Sequence, residues 1–328
     1  TASTSIALAV GMAQARDLVN PDSHENVMAV IGDGSLSGGL AFEGLNNAAK
    51  LKSNLIILVN DNQMSIDEDQ GGLYRGLKEL RDTQGQSANN IFKFMGLDYR
   101  YVADGNDLKT MIDVFKEVKN IDHPIVLHVN TQKGKGYQPA IDDQKKYHWR
   151  APFDLQPGES KQSAPKESYS AAVIDELNAQ VEAGKPVVAI NAAIPGMFDL
   201  ERFKAAHAER YFDVGIAEPD SVTTAVAMAA GGALPVLFES STFLQRAYDQ
   251  LVHDVALNEY PIVMIVRGGT ISSDSATHQG TFDISYISSL PNIEYLAPTN
   301  VEEMISMLRW ACLLYTSPSP RDRSVSGL

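Results

Sequence analysis

Short apolar runs alternate with amphipathic segments through the first part of the chain. The apolar runs are bounded by polar residues and have the length of strands buried in a sheet; they are Met28–Ile31, Asn54–Val59, Tyr99–Val102 and Ile125–Val129. The segments between them repeat apolar residues at the spacing of one helix face; they are Leu40–Leu51, Ile91–Met95 and Leu108–Val118. Strands that alternate with helices predict parallel βαβ units.

A second series of the same kind follows a polar segment, 138–166, which contains four prolines and is predicted to be a linker. The predicted strands beyond it are Val187–Ile190, Tyr211–Val214, Pro235–Phe238, Ile262–Val266 and Ile293–Leu296. The predicted helices are Ser170–Val181, Ser221–Ala230, Phe243–Ala256 and Val301–Trp310. The predicted fold class is therefore α/β, with two domains that each contain a mostly parallel sheet flanked by helices.

These patterns predict a first domain over 1–137, the linker over 138–166 and a second domain over 167–311. Residues Leu313–Leu328 lack periodicity and are rich in Ser, Pro and Arg. We interpret 312–328 as a tail foreign to the natural protein, with a natural flexible tail as the alternative. Because the chain starts with Thr1 and its last predicted helix stops abruptly at Trp310, we expect it to be a fragment.

Composition narrows the possible functions. The chain has 328 residues, 44% apolar and 21% charged, which is typical of a globular protein. No run of about 18 apolar residues is present, so no membrane span is expected. The net charge of −14 argues against nucleic acid or an anionic membrane as a partner. Cys312 is the only cysteine, which excludes disulfides within the chain and predicts a cytoplasmic location.

Candidate chemistry begins where the first predicted strand ends, at Gly32-Asp33-Gly34. Small residues at this point let the backbone approach a ligand closely, and a carboxylate there can hold a divalent cation. Asn60-Asp61-Asn62 follows the next apolar run, so its side chains should reach the same edge of a parallel sheet. Each triplet alone is also compatible with an ordinary turn. Together, Asp33 and Asn62 form a pair of oxygen ligands suited to Mg²⁺.

The spacing of these two triplets resembles the signature of enzymes that bind thiamine diphosphate. The segment GDGSLSGGLAFEGLNNA, which starts at Gly32, is similar to the 1-deoxy-D-xylulose-5-phosphate synthase family, a transketolase-like group. The resemblance implies that Asp33 and Asn62 bind Mg²⁺ and that Met64 adds its backbone carbonyl. It also implies that Gly34 and Ser35 contact the diphosphate.

Glu218, in RYFDVGIAEPDSV, is the candidate for activating the cofactor. It follows a predicted strand and precedes Pro219, a favoured first residue of a helix. The residues alone leave two interpretations open, a glutamate that the helix dipole stabilises or a carboxyl group that handles protons. The family resemblance implies the second, because the matching glutamate hydrogen-bonds N1′ of the aminopyrimidine and promotes loss of the thiazolium C2 proton.

Two further segments, both in the second half of the chain, resemble the family's sequences. In STFLQRAYDQLVHDVA, which starts at Ser241, the resemblance implies that Phe243 stacks on the aminopyrimidine and that Arg246 lies in the active site. Core packing and a surface ion pair are the respective alternatives. In VRGGTISSDSATHQGTFD, which starts at Val266, it implies that Arg267 binds substrate phosphate and that Asp274 and His278 face the reacting carbonyl groups. A helix cap or an interface is the alternative for His278.

Two candidates come from the end of the first domain. Within TQKGKGYQPA and YHWRAPFD, the resemblance implies that Tyr137 contacts the cofactor and that His148 handles pyruvate or its adduct. The implied reaction is the decarboxylative condensation of pyruvate with D-glyceraldehyde 3-phosphate, which gives 1-deoxy-D-xylulose 5-phosphate, a precursor of isoprenoids, thiamine and pyridoxal. The implied assembly is a homodimer.

The chain also differs from the family's usual sequence at positions expected to lie near the substrate. Asn106 and Asp220 replace histidines, Pro219 replaces a glutamine and Ser240 replaces a tyrosine. Two alternatives therefore stay open, another transketolase-type ketol or acyl transferase and a non-catalytic protein with the same fold. We expect the chain as given to be inactive alone.

Overall fold

A computed structural model describes residues 2–64, 71–148, 152–155, 168–269 and 277–316. The chain divides into two compact units, Thr1–Ser163 and Ala164–Leu328, referred to as unit 1 and unit 2. Each unit contains one four-stranded sheet, and all the strand pairs described in it are parallel. The predicted α/β class is therefore confirmed, whereas the predicted domain and linker boundaries stay predictions.

The sheet of unit 1 has the strand order β1-β2-β4-β3. Its strands are β1 (Met28–Gly32), β2 (Leu55–Asp61), β3 (Asp98–Val102) and β4 (Pro124–Asn130). The helices of unit 1 are α1 (Ser5–Val19), α2 (Asp33–Leu36), α3 (Gly39–Ala48), α4 (Gly72–Asp82), α5 (Ile91–Phe94), α6 (Leu108–Val118) and α7 (Gln138–Asp142). The four strands and three helices predicted for this part of the chain are confirmed, with small shifts at their ends.

Helices cover both faces of this sheet. Ile57 of β2 packs in one apolar cluster with residues of α1 and α3, such as Ile6 and Leu45. The adjacent Ile56 packs in a second cluster with Val114 of α6. Because successive strand residues point to opposite faces, a strand covered on both sides is apolar over consecutive residues, as β2 is from Leu55 to Val59, before the polar Asn60 and Asp61 at its carboxyl end. This arrangement brings the carboxyl ends of β1 and β2 to one edge of the sheet.

The sheet of unit 2 has the strand order β6-β5-β7-β8. Its strands are β5 (Val187–Asn191), β6 (Tyr211–Asp213), β7 (Leu234–Ser240) and β8 (Val263–Arg267). Its helices are α8 (Tyr169–Glu182), α9 (Leu200–Ala206), α10 (Glu218–Ala230), α11 (Ser241–Leu244), α12 (Tyr248–Gln250), α13 (Asp283–Ser288) and α14 (Val301–Thr316). Every residue of the central strand β7 is buried, and α10 packs against it.

Two predictions for unit 2 are wrong. The segment Ile293–Leu296 is not a strand, because prolines at 291 and 298 flank it and limit the backbone that could join a ladder. The segment Phe243–Ala256 is not one continuous helix. It passes from α11 through a 3₁₀ turn, Gln245–Ala247, to α12 and then to a π-helical turn, Leu251–Ala256.

Other helices have bounds that the sequence pattern does not predict. The buried residues of helix α1 include two alanines and a charged residue, so the difference in polarity between its two faces is small; they are Ile6, Ala9, Val10, Ala13 and Arg16. The helix α4 buries only two of its residues, Leu77 and Leu80. The helix α7 falls inside the segment that we predict to be a linker, and α14 runs six residues beyond the Trp310 expected as its end, to Thr316.

Candidate functional site

The Asp33 carboxylate connects the two polar triplets at the sheet edge of unit 1. Asp33 is the first residue of α2 and is 2% exposed. Its Oδ2 atom accepts hydrogen bonds from the backbone N–H of Asn62 at 2.8 Å and of Gln63 at 2.6 Å, while Oδ1 accepts one from Gly34 at 2.9 Å. Since Gly32 pairs with Asn60 in the parallel ladder, the two triplets begin opposite each other at the carboxyl ends of β1 and β2. The predicted proximity of Asp33 and Asn62 is therefore seen.

The ligand chemistry at this edge fits a magnesium ion. A carboxylate, an amide oxygen and a backbone carbonyl are hard oxygen donors of the kind that Mg²⁺ prefers. The Oδ1 atom of Asn62 accepts one hydrogen bond, from the Met64 N–H at 3.2 Å, and an amide oxygen has a second lone pair. A Cβ atom added to Gly32 would meet no atom within 4 Å, so there is space beside the strand end. In the described part of the chain, no three His, Cys, Asp or Glu residues cluster as a metal site.

The backbone after Asp33 is held by two hydroxyl groups. The Tyr74 hydroxyl, on α4, donates to the carbonyl of Gly34 at 3.3 Å. The Ser3 hydroxyl donates to the carbonyl of Ser35 at 2.6 Å. These contacts fix the two residues that the family resemblance places against a diphosphate.

A buried ionic network lies directly behind this edge, and the sequence pattern did not single it out. Asp61, the middle residue of the second triplet, is fully buried and pairs with Arg81 of α4 at 2.5 Å and with His128 of β4 at 2.7 Å. The hydroxyl of Tyr99 lies 2.8 Å from Nδ1 of His128. Burial alone would raise the pKa of Asp61, but the hydrogen bonds from His128 and Arg81 outweigh it and hold the pKa below its usual range.

The remaining candidates of unit 1 lie in the segment after β4. The Tyr137 hydroxyl donates to the carbonyl of Leu155 at 2.7 Å, and its ring packs near Tyr147 and Phe153. His148 is exposed, and its Nδ1 atom lies 2.8 Å from Nζ of Lys133. No contact described for either residue involves Asp33 or Asn62, so their predicted roles stay predictions.

In unit 2, the structure pairs two of the predicted residues. Glu218 begins α10, is 3% exposed and accepts a hydrogen bond at Oε2 from Arg246 at 2.8 Å. Arg246 lies in the 3₁₀ turn that interrupts the helix expected there. Burial raises the pKa of Glu218, and the positive charge of Arg246 partly offsets that effect. A buried carboxyl group of raised pKa is suited to sharing a proton.

A second carboxyl group, Glu239 of β7, lies beside this pair and was not predicted. It is fully buried, and Ser221 connects it to the start of α10. Burial and the nearby Glu218 charge raise the pKa of Glu239 well above its ordinary value. One feature of the sequence could have identified Glu239 as a candidate. It is a glutamate that directly follows the apolar run ending at Phe238.

The other predicted residues of unit 2 have separate surroundings. The rings of Phe243 and His278 meet edge to face, with centroids 5.5 Å apart. Arg267 is exposed and donates to the backbone carbonyl of Met197. Asp274 lies outside the described residues. The structure thus brings Glu218 to Arg246 and Phe243 to His278, and it describes no contact between Arg267 and these four residues.

Two family models match the chain. One, described as 1-deoxy-D-xylulose-5-phosphate synthase, matches residues 1–89 and 83–131. The other, described as the pyrimidine binding domain of transketolase, matches residues 166–320. Two parallel α/β units with these matches define a transketolase-like protein of the fold that binds thiamine diphosphate. Within that class, the chain belongs to the 1-deoxy-D-xylulose-5-phosphate synthase family.

Named relatives agree with this assignment. A 1-deoxy-D-xylulose-5-phosphate synthase of Clostridium beijerinckii is 41% identical over 348 residues, covering 94% of this chain and 55% of that protein. One of Lachnoclostridium phytofermentans is 38% identical over 367 residues, covering 99% of this chain and 58% of that protein. The chain therefore spans little more than half the length of the curated relatives that it matches.

A solved transketolase from Leishmania mexicana is 15% identical to this chain, with a TM-score of 0.41, and the match covers 94% of this chain and 57% of that one. Among the described residues, no helix is both long enough and apolar enough to cross a membrane.

Proposed function

We propose that the protein containing this chain condenses pyruvate with D-glyceraldehyde 3-phosphate, with loss of CO₂, to give 1-deoxy-D-xylulose 5-phosphate. The observation that carries this proposal is the Glu218 carboxyl group, which is buried at the start of α10 and paired with Arg246. Relatives that bear the name of this synthase at about 40% identity support the same reaction.

Each unit would hold a different end of thiamine diphosphate. In unit 1, Asp33, Asn62 and the Met64 carbonyl would hold Mg²⁺, which binds the diphosphate, while Gly34 and Ser35 provide the backbone beside it. In unit 2, Glu218 would hold a proton at N1′ of the aminopyrimidine through the oxygen that does not face Arg246. When bound, thiamine diphosphate supplies the nucleophilic carbon that attacks the pyruvate carbonyl.

The remaining candidates have substrate roles in this proposal. Arg246 and Arg267 would supply positive charge to anionic substrates in a chain whose net charge is −14. Arg267 would have to leave the Met197 carbonyl in order to bind a phosphate. His148, Asp274 and His278 would handle the reacting carbonyl groups, and Phe243 and Tyr137 would contact the cofactor.

Cofactor binding and activation are tested first on the chain itself. Calorimetry measures binding of thiamine diphosphate with Mg²⁺, and proton magnetic resonance in heavy water measures exchange of the cofactor's C2 proton. Glu218→Ala should slow that exchange by roughly 100-fold, the scale of general acid–base catalysis. Glu209→Ala, at an exposed glutamate of the same unit, is the matched control and should leave it unchanged. Equal exchange in the wild type and Glu218→Ala would contradict the proposal.

The overall reaction is tested on a longer protein that contains this chain. With both substrates, thiamine diphosphate and Mg²⁺, it should release CO₂ and form 1-deoxy-D-xylulose 5-phosphate. Turnover of ketose phosphates in place of pyruvate would indicate another transketolase-type transferase. Cofactor binding without turnover of any substrate would indicate a non-catalytic protein of this fold.

The homodimer and the cytoplasmic location are parts of the same proposal. Unit 1 exposes apolar side chains on α1 and β1, including Leu8, Met12 and Val30, which is consistent with contact to a second copy. Sedimentation of the longer protein measures its oligomeric state. The location rests on the presence of a single cysteine, Cys312, which is buried and free.

A further inference from the structure

Glu239 is a fully buried carboxyl group to which the proposed function assigns no role. It lies on β7, the central strand of unit 2, and has 0% of its surface exposed. Charged and titratable groups face it from several neighbouring elements. They are Glu218 of α10, Arg246 of the following turn, Asp213 of β6 and Tyr286 of α13. The carboxyl groups of Glu218 and Asp213 would repel an ionised Glu239 and Arg246 would attract it, but burial and the Glu218 charge are the larger effects and favour the neutral form.

The hydroxyl of Ser221 connects Glu239 with the first turn of α10. Its oxygen lies 2.7 Å from the backbone carbonyl oxygen of Glu218 and 3.0 Å from Oε1 of Glu239. A serine hydroxyl has one proton to donate, and a carbonyl oxygen can only accept. If Ser221 donates to the closer carbonyl, the second contact is a hydrogen bond only when Glu239 carries a proton and donates it to Ser221.

The other oxygen of Glu239 supports the same protonation state. Oε2 is buried and has no hydrogen-bond partner among the residues that the structure describes. An ionised carboxylate would leave negative charge on this unpaired oxygen, which is far more costly than leaving the carbonyl oxygen of a neutral acid unpaired. Burial, which raises the pKa of Glu239, acts in the same direction.

We propose that Glu239 is held as a neutral carboxylic acid that donates its proton to Ser221 and thereby positions Glu218. The chain of hydrogen bonds runs from Glu239 to the Ser221 oxygen and from the Ser221 hydroxyl to the Glu218 carbonyl. It ties the first turn of α10 to β7. Because Glu239 is neutral, Arg246 pairs with Glu218 as its carboxylate partner. The catalytic role of Glu218, on which the importance of its positioning depends, rests on the proposed function.

Infrared spectroscopy of the full chain tests the protonation state without cofactor. The wild type should show the C=O band of a protonated carboxyl group at neutral pH, and Glu239→Gln should lose it. Asp283→Asn is the matched control, because Asp283 is also buried but accepts hydrogen bonds at both oxygens, from Ile284 and Tyr295. Absence of the band, or its loss in Glu218→Gln and not in Glu239→Gln, overturns the proposal.

Hydrogen exchange of the first turn of α10 tests the positioning role. Glu239→Leu and Ser221→Ala should each speed this exchange by about tenfold, the scale of one net hydrogen bond. Glu239→Gln, whose amide can donate to Ser221, should restore slow exchange, which separates lost hydrogen bonding from lost packing. Equal exchange in Glu239→Leu and Glu239→Gln would show that the side chain only fills space and would overturn the proposal.

Affinity for thiamine diphosphate with Mg²⁺ connects the two proposals. It should fall by about tenfold in Glu239→Leu and recover in Glu239→Gln, following the exchange result. If the wild type binds no cofactor, the proposed function fails, whereas the infrared and exchange measurements still decide the state of Glu239.

Discussion

Asp33 acts through hydrogen bonds as well as through its charge. Its carboxylate holds the backbone of Asn62 and Gln63, so this side chain orders the second triplet, and in the proposed function it also binds the cation. We expect Asp33→Asn to weaken binding of thiamine diphosphate with Mg²⁺ by at least about tenfold, because an amide has no net charge and its NH₂ group cannot accept from those two amides. Calorimetry at several Mg²⁺ concentrations measures the effect.

Asp104→Asn is the matched control for this prediction. Asp104 also follows a strand of the same sheet and precedes a glycine, but its carboxylate is exposed and accepts from the N–H of Asn106. The control variant should bind as the wild type does. If Asp33→Asn and Asp104→Asn bind equally well, the cation is held elsewhere.

The buried Glu239 predicts how the stability of unit 2 depends on pH. Its pKa is raised in the folded state, so the folded chain retains a proton that the unfolded chain releases above its ordinary pKa of 4.5. The contribution of Glu239 to the free energy of unfolding is fully present below pH 4.5. It is lost as the pH rises towards the pKa of the folded state, by about 1.4 kcal/mol per pH unit. Urea unfolding of unit 2, followed by hydrogen exchange, measures this slope.

Glu239→Gln removes the titrating group while retaining its size. The variant should show a shallower fall in unfolding free energy as the pH rises above 4.5, and its advantage over the wild type should grow with pH. Parallel pH profiles for the two proteins would mean that Glu239 releases its proton at an ordinary pKa in the folded chain.

At the scale of secondary structure, α4 is held against the sheet by a buried ion pair. Arg81 of α4 binds Asp61 of β2, and both side chains are largely removed from water. We expect Arg81→Met to lower the free energy of unfolding by about 3 kcal/mol, because a buried charge loses one of its partners. Lys78→Met, on the same helix, breaks only the exposed pair with Asp82 and should cost less than about 0.5 kcal/mol.

Denaturant unfolding of both variants measures the difference. A cost for Arg81→Met no larger than that for Lys78→Met would show that His128 alone satisfies Asp61. Hydrogen exchange of β2 and α4 should report the same contrast locally, since the pair joins these two elements.

The strand β2, which helices cover on both faces, was predictable from the sequence, whereas the helices α1 and α4, which bury few large apolar side chains, were not. The strand β2 is apolar from Leu55 to Val59 because helices cover both its faces, and this run predicted the strand within two residues at each end. The helices α1 and α4 were not predicted: α1 buries two alanines and Arg16 beside Ile6 and Val10, and α4 buries only Leu77 and Leu80 and is held partly by an ion pair. Asp33 and Asn62 were predictable because parallel strands end at one edge. Glu239 was not predicted, because the apolar run that precedes it indicates a buried strand and no functional site.

At the scale of the whole molecule, the two units carry different halves of the predicted chemistry. Unit 1 brings together Asp33 and Asn62, the proposed oxygen ligands, and unit 2 contains the buried carboxyl groups Glu218 and Glu239. Each unit has its own sheet and its own apolar clusters. Arg81→Met should therefore change the hydrogen exchange of unit 1, and Glu239→Leu should change that of unit 2.

The net charge of the chain predicts that cofactor binding depends on a divalent cation at the proposed site. A net charge of −14 opposes an anionic diphosphate, and the Asp33 carboxylate would face it directly without Mg²⁺. We expect chelation of Mg²⁺ to reduce the affinity for thiamine diphosphate by at least about tenfold, and re-addition to restore it. Calorimetry measures both, with thiamine, which lacks the diphosphate, as the control ligand. Raising the monovalent salt should partly recover binding in the chelated sample, because screening over about 10 Å weakens the repulsion. Affinity that is unaffected by chelation would mean that the diphosphate is held by side chains alone.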